Sequence, residues 1–91
     1  MFRIDRYDFD INASAKVSEL THDKISVGLN WPVVYVINND KEAYIGETVN
    51  ASRRIDQHLQ NEERQKLTEI RIISDGNFNK SVILDLESFL I

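Results

Sequence analysis

Arg54 and His58 stand one helical turn apart in the segment "YIGETVNASRRIDQH", and Tyr35 and Tyr44 precede them. These side chains suit phosphate and proton chemistry. A guanidinium presents forked donors that match phosphate oxygens, a geometry lysine cannot copy. An imidazole can accept or relay a proton near neutral pH, or bond a phosphate. A phenol can orient a water. It acts as a base only where something favours the phenolate, because an ordinary pKa near 10 leaves only ~0.1% ionised at pH 7.

Those residues need elements to hold them. Val33 to Ile37, "VVYVI", reads as a strand covered on both sides, β-branched and aromatic throughout. Asn38 to Lys41 supplies turn residues, and Glu42 to Ile45 resumes a strand, which makes a β-hairpin. With Asn39-Asp40 as a two-residue loop, Tyr35 lies across from Tyr44 on one sheet face. A longer loop shifts that register. Asn50 can cap a helix from Ala51 to about Gln60. Each helical residue turns by about 100°, so with Ala51 at zero Ile55 falls near 40° and Leu59 near 80°. Those three define a buried stripe. His58 (about −20°) and Arg54 (about −60°) lie at its edge and look toward the sheet, while Arg53 (about 200°) looks to solvent.

Elsewhere the pattern is plainer. Residues 2 to 11 alternate loosely between apolar and charged and read as an extended segment with one covered face. Asn12 can cap a short helix with Ala13, Val17 and Leu20 as its stripe. His22 reads as a loop histidine without a partner, and Glu62-Glu63-Arg64 as a solvated helix end. Thr68 to Ser74 reads as a third strand and Asp75-Gly76-Asn77 as a turn. A last helix from about Lys80 carries a stripe of Val82, Ile83, Leu86, Phe89 and Leu90. This order implies an α+β domain, with a small antiparallel sheet of about three strands flanked by helices.

Ninety-one residues allow one domain with a modest core. Without cysteine there is no disulfide or thiolate metal site, which suits a reducing cytoplasm. No apolar run approaches the ~20 residues of a membrane span, and the N-terminus has no signal-peptide core. The net charge of −4 argues against a general nucleic-acid coat but leaves room for a local basic site. The chain stops at "SFLI" without a helix cap, and Leu84 and Ile91 lie off the Leu86 stripe. That pattern implies an N-terminal fragment of a longer protein, with a covalently linked downstream domain, or else a homodimer through the last helix.

"VVYVI", "YIGETVNASRRIDQH" and a late helical glutamate together resemble the GIY-YIG nuclease family over residues 32–91. Val33-Val34-Tyr35 corresponds to the first tripeptide of the family name and Tyr44-Ile45-Gly46 to the second. Residues 1–31 then form an N-terminal extension packing on the core. The resemblance also extends to the nuclease-like modules at the N-termini of bacterial proteins with helicase-like ATPase regions. It implies a DNA endonuclease with Tyr35, Tyr44, Arg54 and His58 as catalytic residues. It further implies Gly46 as a structural residue of the site and Glu87 as the ligand of one divalent metal ion. A hard oxygen ligand fits Mg²⁺ or Mn²⁺ better than zinc. Two positions depart from the family. Val33 stands where the name has glycine, and Glu47 follows Gly46 where many relatives carry lysine or a small residue. A carboxylate at 47 repels a phosphate unless a metal or an arginine neutralises it. The alternative function is a catalytically inactive domain of this fold that binds nucleic acid or protein.

Overall fold

The central strand of the computed structural model is β2 (Val33–Asn38), and its apolar run is covered on both faces. The structure describes residues 3–22, 24–76 and 78–91, with the backbone alone for 80–82. Strand β3 (Ala43–Thr48) lies on one side of β2 and β4 (Glu69–Ser74) on the other. Strand β1 (Arg3–Asp8) pairs with the outer side of β4, so the antiparallel sheet runs β1-β4-β2-β3. The α+β reading holds, with four strands rather than about three. The fourth comes from the loosely alternating N-terminal segment, where Arg3–Asp8 complete the sheet.

Alternation along the strands sorts the core into two layers. Val33, Tyr35, Ile37, Ile70 and Ile72 face α1 (Ala13–Ser18) and α2 (Ala51–Leu59). Val34, Ile45 and Ile73 face α3 (Lys80–Leu90), meeting Phe78, Ile83 and Leu86. The stripe Ala13, Val17 and Leu20 is buried as expected. Small residues let α1 and α2 approach closely, and Ser14 and Ser52 hydroxyls each donate to the other's backbone carbonyl at 3.1 and 3.0 Å. Asn50 caps α2 by accepting the Arg53 N–H at 3.0 Å. Asn12 precedes α1 without a side-chain cap bond, and the Asp10 carboxylate accepts the Asn12 N–H instead.

Three expectations need correction. The hairpin closes through four residues, 39–42, not two. The Asn39 side-chain oxygen accepts the N–H groups of Lys41 and Glu42 at 2.8 and 2.9 Å, which favours the wider loop. Tyr35 therefore pairs with Gly46, and Tyr44 with Ile37. On α3, Ile83 is buried and Leu86 half-buried, but Phe89 and Leu90 are exposed. Val82 and the expected turn residue Asn77 lie outside the described side chains and residues. His22 is not partnerless, because its ring bonds Asp5 and Ser74 at 3.1 Å each.

Candidate active site

Tyr35 is a long side chain in a strand buried on both faces, and its ring needs room on the α2 side. Gly46, directly opposite on β3, supplies it. A Cβ at residue 46 would lie 2.4 Å from both Cζ and Oη of Tyr35. The glycine is needed for this clearance and not for an unusual backbone angle, since no described glycine has positive φ. The cleared ring passes over Gly46 and reaches α2, where its hydroxyl and His58 Nε2 bond at 2.8 Å. The two-residue shift in register preserves side-chain facing. Tyr44 thus shares the face of Tyr35, with ring centroids 6.2 Å apart. Tyr44 also meets His58 edge-on at 4.8 Å. The three rings form one contiguous cluster.

The electrostatics follow from that packing. Burial pushes the Tyr35 phenol well above its ordinary pKa, and the Tyr44 phenol and Glu87 carboxylate add to the push. Arg54 pulls the other way without overcoming it. Burial lowers His58 to about 4, helped by the positive charges of Arg64 and Arg54. At neutral pH the pair is therefore an intact phenol bonded to a neutral imidazole. The charges of Arg54 on α2 and Glu87 on α3 bear on the Tyr35 phenol in opposite directions.

Helical phase placed Arg54 and His58 together at the edge of the buried face. In the structure His58 lies inside that face and Arg54 outside it, exposed. Arg54 lines a cleft of about 310 Å³ with Thr48, Val49, Asn50, Arg53 and Gln57. Arg53 is solvent-exposed as expected, yet it borders the same cleft. Glu47 alternates onto the α3 face of β3, opposite to Tyr44 and Gly46, so its carboxylate leaves from the other side of the sheet.

Arg64 was not foreseen. It does not end α2 as a solvated charge but packs over the Tyr44 ring, with Cζ 4.2 Å from the centroid. The segment between α2 and β4 has no apolar period, so spacing gave no sign of this contact. A second chain of polar groups, Asp5–His22–Ser74, has the composition of a hydrolase triad. Ser74 is wholly buried, and its hydroxyl bonds the His22 ring across the sheet. That chain joins β1, β4 and the loop at His22 as structure.

Among the described residues no group of three or more His, Cys, Asp and Glu could hold a metal ion. Glu87 is a half-buried hard oxygen donor whose charge reaches Tyr35. Its chemistry fits a cation that keeps most of its shell as water and phosphate oxygen.

A family model described as the GIY-YIG catalytic domain matches residues 32–91. All seven positions named from the sequence, from Tyr35 to Glu87, fall inside that match. No curated protein and no solved structure matched the chain.

Proposed function

The chain belongs to the GIY-YIG family of nucleases, and on that premise we propose that it is a metal-dependent DNA endonuclease module. One observation carries the reading. Tyr35, Tyr44 and His58 are in contact, while Arg54 and Glu87 bring charge to the same phenol from two different helices. A binding domain has no need to gather all five.

In this reading the scissile phosphodiester occupies the cleft beside Arg54, and the forked guanidinium meets two of its oxygens. Water attacks phosphorus from the tyrosine side, and the bond to the leaving sugar oxygen breaks. The Tyr35 hydroxyl takes the proton released by the water as it gives its own to His58 Nε2, so phenolate never accumulates. The raised phenol pKa requires such a relay, since Tyr35 cannot hold the ionised form alone. The incoming phosphate is anionic and offsets Arg54, which makes His58 a better acceptor at the moment of attack. The leaving oxygen takes a proton from solvent. A divalent ion, Mg²⁺ or Mn²⁺, held by Glu87 would supply Lewis acidity to the phosphoryl oxygens and acidify a bound water.

The partner is therefore DNA, recruited through a local basic cleft on an otherwise acidic chain. No helix among the described residues is long and apolar enough to cross a membrane, and we place the protein in the cytoplasm. The absence of cysteine supports that location. The inactive-domain alternative draws on the net charge of −4. Supercoiled and branched DNA incubated with the protein and Mg²⁺ or Mn²⁺ separates the two readings. Nicking that a chelator stops and Arg54→Ala loses supports the nuclease. DNA binding with no cutting in either metal, or cutting that Arg54→Ala leaves intact, supports the alternative.

A further inference from the structure

We propose that Arg64 is a positioning residue of this site, stacked on Tyr44 so that the phenol is held against His58 and a fixed positive charge sits on the ring that packs against the imidazole. Its catalytic role rests on the nuclease reading, but its geometry does not.

Arg64 is placed by its own turn. Asn61 N–H donates to the His58 carbonyl at 3.0 Å, and Arg64 N–H donates to the Asn61 carbonyl at 2.9 Å. The Gln65 side chain donates to the Leu59 carbonyl at 2.9 Å. These bonds fold the chain after α2 back over the open side of Tyr44. The guanidinium then lies 4.2 Å from the ring centroid, a cation–π distance. Among the described residues no close ion pair spends its charge. The recorded carboxylate contact is Glu63 at 3.9 Å, and that side chain is 83% exposed. Among the described residues the buried Arg64 Nε–H meets no acceptor. A ring face therefore fixes the cation more firmly than a counter-ion does.

The consequence falls on His58. Tyr35 faces it from β2, Tyr44 from β3, Arg64 from the turn, and Arg54 from its own helix. Glu87 acts from α3 on Tyr35, the partner of His58. Two cations thus bear on the imidazole, which adds to the effect of burial in keeping it uncharged. Only the neutral ring can accept the Tyr35 proton. A bound phosphodiester would offset Arg54, which faces the cleft. Arg64 stays stacked beneath Tyr44 and keeps its influence. Arg54 then meets substrate, and Arg64 holds Tyr44 in place and keeps the imidazole neutral, while weakening it as a proton acceptor.

The test separates charge from cover. Arg64→Met keeps an apolar chain over Tyr44 and removes the charge, whereas Arg64→Lys keeps the charge and loses the planar stack. His58 is titrated by NMR in each protein, with amide signals reporting that the fold persists. Wild type should titrate near pH 4. Arg64→Met should move His58 upward by about half a unit to one unit. It should still fall short of the ordinary value, because burial is the larger cause. Arg64→Lys should stay near wild type. An unchanged His58 in Arg64→Met overturns the proposal. So does an equal shift in Arg64→Lys, which would make Arg64 cover alone. Should Arg64→Met fail to fold, Arg64→Gln, neutral and polar, carries the same expectation. Failure of the nuclease reading would appear separately, as wild-type protein that cuts no DNA while the titrations behave as stated.

Discussion

Replacing Gly46 with alanine adds one methyl group at the most crowded point of the site. The new carbon would sit 2.4 Å from Cζ and Oη of Tyr35 and 2.9 Å from Cε1. Carbon atoms pack best at ~3.5–4.0 Å, so the ring must retreat by about 1 Å or more. Tyr35 is only 2% exposed and sits between β3 and α2, so there is little free space to retreat into. Its bond to His58 is 2.8 Å long, and a ~1 Å displacement takes it beyond hydrogen-bonding range. Overpacking of this kind costs about 1–3 kcal/mol. Leaving His58 without its buried partner adds ~1–3 kcal/mol. For a domain of this size the melting temperature should fall by about 10 °C or more. Circular dichroism on heating at pH 7 measures the loss. The same substitution made in a Tyr35→Leu background should cost far less, because the ring that clashes is gone. Equal costs in the two backgrounds, or a Gly46→Ala protein as stable as wild type, would refute the steric argument.

Other outcomes follow from the same contacts. His58 titrates near 4 when folded and near 6.5 when unfolded, so between those values the unfolded chain binds more protons. Its contribution is whole above pH 6.5 and is lost as pH falls toward 4. Allowing for solvent screening, that loss is on the order of 1–2 kcal/mol, and urea titrations of His58→Gln should show a shallower acid limb. Tyr35→Phe keeps the ring but removes the hydroxyl from His58. It should cost about 1–3 kcal/mol and abolish the proton relay, so its cleavage rate should collapse while DNA affinity measured by gel shift stays near wild type. Arg54→Lys retains charge but not the fork, and its rate should fall toward that of Arg54→Ala rather than match wild type.

Much of this site could be read from residue order, for reasons of periodicity. The facing of Tyr35 and Tyr44 survived an error in loop length because a shift of two residues preserves the strand face. The loop itself was not legible, since the Asn39 side chain decides it through two local bonds. Helical phase put Arg54 and His58 on one side of α2, but it could not say where the sheet edge would fall between them. That edge leaves His58 buried and Arg54 in the cleft. Strand β1 showed as an extended segment, yet its partner β4 lies far along the chain and only the fold reveals the pairing. The same is true of His22, whose partners Asp5 and Ser74 come from β1 and β4. Arg64 lies in a turn without apolar period, where residue type says little about direction.

The central claim is that one phosphodiester-cutting site is built from the hairpin, α2 and α3. Its most direct measurement is the nicking rate of supercoiled DNA in Mg²⁺ or Mn²⁺ for wild type, Arg54→Ala and Glu87→Ala, each shown to be folded. Wild type should nick DNA only when the metal is present. Arg54→Ala should lose roughly 10²–10³ in rate, as for a single preorganised donor. Glu87→Ala should lose activity at low metal concentration. Equal cutting by all three proteins would contradict the claim.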